Sequence, residues 1–343
     1  MTLRQPRANL IVNGQTLLCA EIEVEMSRDQ KSDCFRAKVP MDKLPAGMDA
    51  NWWSTAANIS VQVMVDAGQG ATKIFDGQAD EVEHDFSECV LDISGRDKSS
   101  KLIDNKASSK FLNKKPHEIV QQIAGDAGID ADVDAVTDKA GKLFQIDYNA
   151  IQHRLSGWSM ILQLADLHGR VAYMTAGKLY FKDPAEKLPT LKIVYSPPTS
   201  GTAASSNAIR IRARRSITLG RPVKHTVHSW NHKQAALNEG TYTEPGDGDE
   251  LEWHHHHPGL SKDQATRRAK DHCDRTTRHE FGITIDMPGD PTVTPRFMLD
   301  LSGTGTAYDQ QHELTHVRHR MSERDGYRMS VDTKAKSKKR GKH

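Results

Sequence analysis

Residues 308–331 read YDQQHELTHVRHRMSERDGYRMSV, and this stretch decides the fold of the chain. It contains the zinc-peptidase pattern HExxH at His312, Glu313 and His316. That pattern binds zinc on a helix, where residues four apart share a face and both imidazoles reach one ion beside the Glu base. The fold of this stretch therefore distinguishes a metal centre from a coincidence.

Apolar and polar side chains alternate along the stretch, which predicts strand, turn and strand. The alternating residues are Leu314, His316 and Arg318 against Thr315, Val317 and His319, and then Tyr327, Met329 and Val331. Residues four apart on a strand are separated by roughly 13 Å, at about 3.3 Å per residue, which is too far for one zinc. His319 also stands where the metzincin pattern requires Gly. We therefore predict no metal and no catalytic site here.

An earlier stretch, KIFDGQADEVEHDFSECVLDI at residues 73–93, follows the same order. The aligned positions are Val82-Glu83-His84 with Val317-Arg318-His319, Phe86 with Met321, Ser87 with Ser322, and residues 34–39 with residues 280–285. Any two β-hairpins share some of this likeness. The consistent order along the chain nevertheless predicts two copies of one β-domain.

Composition limits the class of protein. The chain has 343 residues, of which 36% are hydrophobic and 6% aromatic, and a net charge of +2. The length predicts two or three domains. The low apolar content favours small domains with much polar surface, part of it subunit interface. The small net charge gives no global signal for nucleic acid. No apolar run has the length of a membrane span, and no signal peptide opens the sequence.

The cysteines are scattered without CxxC spacing, which predicts reduced thiols within the core and no cofactor. They are Cys19, Cys34, Cys89 and Cys273. Trp52-Trp53 is expected either to form a contact surface or to lie buried under a loop.

Three helices are predicted from their end signals. The first begins at Pro116 and ends at Gly128, and the second runs from about Ser156 to His168. The third begins at the capping box Ser261-Lys262-Asp263-Gln264 and runs to about Thr277. Residues 196–207 have the composition of a linker. Residues 238–259 are predicted to form a polar loop that carries His254 to His257, a poor site for metal because a loop has no fixed geometry.

Basic residues concentrate in two places. Residues 209–217 alternate apolar residues with Arg210, Arg212 and Arg214, and Arg215 follows. This strand is expected either to bind a polyanion or to face acidic partners at an interface. The last ten residues, from Lys334 to His343, hold six Lys or Arg and no acid, which predicts a disordered tail.

The sequence resembles phage baseplate hub proteins of the tail protein D, or late control D, family. That family is related to the Mu-type and T4-type hubs and to the N-terminal part of type VI secretion spike proteins. The matching segments are Phe75-Asp76-Gly77, Val82-Glu83-His84, residues 93–97, Leu102-Ile103-Asp104, Phe111-Leu112-Asn113, Pro116, Trp158, Gly169, residues 178–181, residues 317–319 and Gly326-Tyr327. Their order covers roughly residues 8–332. The acidic and His-rich residues 238–259 depart from the pattern.

The resemblance implies an α+β, mainly β fold with two similar tube-type β-barrel domains and α+β insert domains. The expected domains are residues 1–99, the first barrel; 100–195, an α+β insert; 208–237 with 279–333, the second barrel; 238–278, a loop and helix insertion; and 334–343, a basic tail. Three chains with two barrels each would form a pseudo-sixfold ring.

The function that the resemblance implies is that of a structural baseplate hub in the virion, assembled in the host cytoplasm. The expected partners are a homotrimer of this chain, a hexameric tail tube or tube-initiator protein, a trimeric central spike, other baseplate proteins and a tape-measure protein, with no membrane insertion. The alternatives are a zinc peptidase using His312, Glu313 and His316, a wall hydrolase that needs paired carboxylates, and a polyanion-binding module using residues 210–215 and the tail.

Overall fold

The computed structural model describes residues 6–28, 31–68, 70–140, 142–144, 147–184, 187–231, 236–257 and 259–335. The fold is α+β and mainly β, as predicted. The strands are β1 Arg7–Val12, β2 Gln15–Leu17, β3 Glu21–Ser27, β4 Cys34–Pro40, β5 Ser60–Asp66, β6 Ala71–Asp85, β7 Val90–Asp97, β8 Lys106–Leu112, β9 Ala131–Val133, β10 Lys142–Phe144, β11 Asp147–Ser156, β12 Val171–Thr175, β13 Lys178–Lys182, β14 Thr190–Ser196, β15 Ser205–Ser206, β16 Arg210–Arg215, β17 Val223–Asn231, β18 Ala236–Glu244, β19 Leu251–His256, β20 Phe281–Pro288, β21 Met298–Ser302, β22 Gln311–Ser322 and β23 Gly326–Ala335.

The helices within this part of the chain are α1 Ala50–Thr55, α2 Ser99–Asp104, α3 Pro116–Asp126, α4 Gly157–Leu167 and α5 Lys262–Thr277. The three helices predicted from end signals are confirmed. Ser156 caps α4 by accepting from the backbone N–H of Ser159, and Ser261 and Gln264 form the capping box of α5. Helices α1 and α2 were not predicted, because each has only six residues and no clear helical periodicity.

The chain divides into two compact units. The first contains residues 1–188, 288–295 and 316–330, and the second contains residues 189–287, 296–315 and 331–343. No helix among the residues given above is both long and apolar enough to cross a membrane.

The first unit is organised around the strand order β2-β1-β5-β6-β7-β4-β3-β22. Period-two alternation creates its core, because Val61, Val63 and Val65 all point inward and are at most 2% exposed. The rings of Phe35 and Phe75 pack against this layer with centroids 5.0 Å apart. A second cluster in the same unit joins α3 and α4 to β13, through Ile119, Ile161 and Phe181 among others.

The strands of the second unit belong to a sheet with the order β15-β14-β21-β22-β23-β20-β16, in which this unit supplies residues 311–315 of β22 and 331–335 of β23. It also contains a separate three-stranded sheet, β18-β17-β19, in which β19 lies parallel to β17. Helix α5 covers that sheet with Ala265 and Ala269, which pack on Val227. Strand β17 thus pairs within the insertion and not with the larger sheet.

The strand order occurs twice. In chain order, β1 to β7 of the first copy correspond to β14, β15, β16, β20, β21, β22 and β23 of the second. The pairing order β2-β1-β5-β6-β7-β4-β3 then matches β15-β14-β21-β22-β23-β20-β16 at every position. One pair differs in direction, since β1 is antiparallel to β5 and β14 is parallel to β21. The shared order supports the repeat that the sequence predicts.

Candidate interaction surface

The outward face of the first unit's sheet carries charges that alternate from strand to strand. Strand β3 presents acidic residues between two basic strands, β22 and β4. On β4, the guanidinium of Arg36 donates from Nε to Asp92 Oδ1 on β7 at 2.8 Å. Because neighbouring columns carry opposite charge, this face can select which strand lies beside which.

Strands β3 and β22 are joined at this face. They are antiparallel, and Arg318 lies opposite Glu25 while Arg320 lies opposite Glu23. Arg320 Nε contacts Glu21 Oε1 at 2.7 Å, and Arg318 Nε contacts Glu23 Oε1 at 3.4 Å. Both arginines are half exposed, so each ion pair contributes at most about 1 kcal/mol. The ion pairs therefore contribute little to the stability of this junction, and their main effect is to fix the register of β22 against β3.

The opposite face of the same junction supplies the stabilisation. Ile22, Val24 and Met26 of β3 are at most 4% exposed, and Val317 of β22 is fully buried. Burial of each such side chain contributes about 1.5–3 kcal/mol. The sequence shows Glu21, Glu23 and Glu25 on one side of a strand, but their partners lie nearly 300 residues away, as the separation of 299 between Arg320 and Glu21 illustrates.

His319 is held within this junction by two hydrogen bonds. Its Nε2 lies 3.0 Å from the carbonyl oxygen of Val293, so it carries the proton and donates. Its Nδ1 then accepts from the hydroxyl of Tyr327 at 2.9 Å. Burial lowers the pKa of His319 to about 4. This histidine is therefore neutral at physiological pH and acts as a structural bridge.

The HExxH residues lie on β22, as the alternation predicted. His312 is fully buried and its Nε2 contacts the carbonyl oxygen of Tyr308 at 3.0 Å. Glu313 faces Arg278 at 3.5 Å, and His316 is exposed. Since the motif is on a strand, its two histidines do not share a helical face.

The prediction that residues 238–259 form a loop is wrong. They contribute β18 and β19, and His254, His255 and His256 lie in β19. Polar composition hid the strand, because its stability comes from parallel pairing with β17 and from ring stacking. The imidazoles of His255 and His272 stack with centroids 3.9 Å apart, and His225 Nδ1 lies 2.8 Å from His255 Nε2.

His225 and His272 are uncharged in the folded chain at neutral pH. Desolvation, together with neighbouring histidines, lowers the pKa of His225 and of His272 to about 4. Among the residues that the structure describes, no group of three or more His, Cys, Asp or Glu has the arrangement of a metal site.

The arginine strand is β16, as predicted. Arg215 folds back on its own unit, where it pairs with Glu280 at 2.9 Å. Arg210, Arg212 and Arg214 are exposed and have no ion pair within the described residues. At this strand the second unit therefore presents three exposed cations.

The structure also tests the predictions made for the tryptophan pair, the cysteines and the basic tail. Trp53 is 3% exposed and packs edge-on against Trp52 within the first unit's core, which confirms the buried alternative for Trp53. The cysteine prediction is wrong for Cys34 and Cys89, which are exposed. On β4 the alternation turns Phe35 inward and Cys34 outward. The predicted disorder of the basic tail is wrong for Lys334 and Ala335, which belong to β23, and residues 336–343 lie outside the described residues.

Solved structures with the same fold include tail proteins. The tail protein from Neisseria meningitidis MC58 has a TM-score of 0.74 at 15% identity, covering 97% of each chain. The 43 kDa tail protein of prophage MuSo2 from Shewanella oneidensis has a TM-score of 0.73 at 13% identity, covering 96% of this chain and 98% of that chain.

The likeness extends to secretion proteins. The E. coli c3393 protein, described as a type VI secretion component similar to T4 tail proteins gp27 and gp5, has a TM-score of 0.57 at 9% identity, covering 97% of this chain and 78% of that chain. The resemblance stated from the sequence is thus confirmed at the level of the fold.

Sequence comparison adds a family. The model described as Alg8 N-terminal domain matches residues 58–252, which is more than half of the 343 residues. No curated protein matches the sequence. The chain therefore belongs to the family described as Alg8 N-terminal domain, and it has the fold of the phage tail proteins.

Proposed function

We propose that this protein is a structural baseplate hub of a phage tail, and that it works as a homotrimer. The observation that carries the proposal is the strand order, which occurs twice in one chain. The tail proteins that share the fold support a role in a virion. The proposal assigns no catalytic role to any residue.

Two similar β-domains in each of three chains make six similar domains around one axis. Such a ring matches a sixfold tail tube on one side while keeping true threefold symmetry for a trimeric spike on the other. The protein is then an adapter between two symmetries, and its chemistry is the burial of interfaces. Its partners are the tube or tube-initiator protein and the spike, with other baseplate proteins and a tape-measure protein as further contacts.

The domain division made from the sequence stays a prediction. It assigns residues 1–99 and residues 208–237 with 279–333 to two tube-type β-barrels. The matched order of seven strands in each copy supports the likeness of the two. The pairing of β17 within the insertion favours ending the first segment of the second copy near Arg215.

Native mass spectrometry tests the proposal on the full chain, alone and co-expressed with its candidate spike. The chain has a mass of 38.2 kDa, so a trimer weighs about 115 kDa, three times that value. We expect this trimer, either alone or with three spike chains bound. A chain that stays monomeric in both samples contradicts the proposal.

A further inference from the structure

The edge of β16 is open along its whole length. Within the described chain this strand pairs with β20 alone. Arg210, Arg212 and Arg214 line it, and Ile217 just beyond it is 81% exposed. An unpaired strand edge binds another strand readily. These three like charges on β16 disfavour a second β16 and select an acidic strand.

The second half of β6 is such a strand. Residues 71–78 of β6 pair with β5 on one edge, and Ala79 still donates to Ile59 O at 3.0 Å. Residues 81–85 pair with β7 on the other edge and with no strand of the described chain on this one. The exposed side chains there are Glu81, Glu83 and Asp85. Phe86 follows and is 72% exposed.

The chain already contains the same kind of junction in paired form. On β22, residues 311–313 pair with β21 on one edge, and the segment 316–322 of that strand pairs with β3. In the repeat, β22 corresponds to β6 and β3 corresponds to β16. Residues 81–85 of β6, which have one unpaired edge, thus correspond to the part of β22 that pairs with β3. Likewise, the unpaired edge of β16 corresponds to the edge of β3 that pairs with β22.

The repeat also supplies the register. In the first copy Glu23 is paired with Arg36, and in the second copy Arg214 is paired with Gly282. Positions 36 and 282 are aligned in the repeat, so Glu23 corresponds to Arg214. By the same step, through Lys38 and Thr284, Glu21 corresponds to Arg212. Arg318 aligns with Glu83 and Arg320 aligns with Asp85.

The β3–β22 junction has three ion pairs, and two of them reappear with their signs exchanged. The third, between Arg318 and Glu25, has no charged counterpart, because Glu25 corresponds to Ser216. The contact of Arg318 with Glu23 becomes one of Glu83 with Arg214. The contact of Arg320 with Glu21 becomes one of Asp85 with Arg212. In both aligned pairs the acidic and the basic residue have exchanged strands, so the attraction between the strands is kept. The two junctions can therefore have the same geometry with opposite charges.

Apolar residues of the β3–β22 junction also correspond to apolar residues beside the two open edges. Met26, which is 3% exposed in the paired junction, corresponds to Ile217, and Met321 corresponds to Phe86. Ile217 and Phe86 have the highest exposed fractions among the large hydrophobic side chains that the structure describes. Pairing of the two edges would place each beside the partner strand.

We propose that β16 of one protomer pairs antiparallel with residues 81–85 of β6 in a second copy of this chain. In this register Arg214 lies directly opposite Asp85 and diagonal to Glu83, and Arg212 lies diagonal to Asp85. This inference rests on the proposed homotrimer and assigns the surface that closes it. The β3–β22 junction within each chain and this junction between chains would then alternate around the ring.

Charge reversal tests the pairing in the full chain. Glu83→Arg and Arg214→Glu are each expected to raise the concentration at which the trimer dissociates by about tenfold or more, because like charges then lie next to each other at every junction. The double variant with both changes restores an attractive pair and is expected to recover the wild-type trimer. Asp85 is left unchanged, because it accepts from the backbone N–H groups of Ser87 and Glu88 in the turn.

Arg267→Glu is the matched control, since Arg267 is an exposed arginine on α5 outside this surface. It is expected to leave the trimer unchanged. A second measurement uses Val82→Cys and Ile217→Cys together in a chain whose exposed Cys34 and Cys89 are changed to Ser. Oxidation is expected to give covalent trimers, because the two positions lie directly opposite in the inferred register.

The outcomes separate the two proposals. A trimer that neither reversal weakens and that forms no cross-link overturns the pairing while the hub stands. A wild-type chain that is monomeric with and without its spike overturns the hub and the pairing together. Loss of the trimer in the single variants with recovery in the double variant establishes the pairing.

Discussion

His84 and His319 occupy the same position in two hairpins, and each contacts a backbone carbonyl between corresponding strands. His84 Nε2 lies 3.3 Å from the carbonyl oxygen of Ala50, in the connection between β4 and β5. His319 Nε2 lies 3.0 Å from that of Val293, in the connection between β20 and β21. A short sequence likeness thus corresponds to a shared hydrogen bond, which supports the repeat more strongly than residue identity does.

The two histidines are expected to differ in energetic weight. His319→Ala leaves the carbonyl of Val293 and the hydroxyl of Tyr327 without this partner inside the core, so we expect it to lower the free energy of unfolding by about 2–4 kcal/mol. His84→Ala, at a half-buried site with a longer contact, should cost about 1 kcal/mol or less. Urea unfolding of both variants measures the difference. Equal losses would contradict the account of His319 as a core bridge.

The same histidine makes stability depend on pH. Its pKa is lowered from about 6.5 to about 4 by burial, so the unfolded chain binds more protons between these values. The stability that the neutral imidazole contributes is present above pH 6.5 and is lost as the pH falls through 4. We expect the difference in unfolding free energy between wild type and His319→Ala to shrink over this window. A difference that is constant with pH would show that His319 is not buried in its neutral form.

Asp97 is expected to act in the opposite direction. Burial raises its pKa from 3.8 to about 6, against the opposing hydrogen bonds from Ser99. The folded chain therefore binds more protons than the unfolded chain between these values, and the associated stability is present below pH 3.8 and is lost as the pH rises through 6. Asp97→Asn should remove this dependence and gain stability relative to wild type as the pH rises from 4 to 7. If the free energies of unfolding of the wild type and of Asp97→Asn change in the same way with pH from 4 to 7, the raised pKa of Asp97 is contradicted.

Gly95 is required where β6 and β7 approach each other. A Cβ at this position would overlap the carbonyl oxygen of Gln78, which belongs to the paired backbone and has no flexible end to move. We expect Gly95→Ala to lower the free energy of unfolding by several kcal/mol, on the order of 3. The control is Gly125→Ala in α3, where a Cβ meets nothing within 4 Å. That change should stabilise by about 0.5–1 kcal/mol, since alanine favours a helix. Similar losses for both would remove the steric argument.

The sequence was sufficient to predict those strands and helices whose pattern lies within the element itself. The alternation of residues 314–331 predicted β22 and β23. The apolar face with Trp158 and Ile161, together with the stop at Gly169, predicted α4, and the capping box at Ser261 predicted α5. These features depend on neighbours within a few residues. The repeat was also visible, because the two hairpins keep the order of their aromatic, histidine and serine positions.

Other features depend on partners far along the chain. The pairing of β3 with β22 joins residues about 300 positions apart, and no local pattern marks it. The strand at 251–256 follows an acidic segment and ends in consecutive histidines, and its stability comes from β17 and α5, so its composition predicted a loop. The exposed position of Cys34 follows from the register of β4, which places Phe35 in the core.

The central claim is that two copies of one β-domain in each chain build a ring with threefold symmetry and a near-sixfold outline. Electron cryo-microscopy of the chain bound to its spike, reconstructed without imposed symmetry, tests this most directly. The account predicts three protomers around a central channel, six similar β-domains in one ring, and alternating β3–β22 and β16–β6 junctions. A particle with one β-domain per protomer in the ring, or with protomers that meet through other strands, would contradict it.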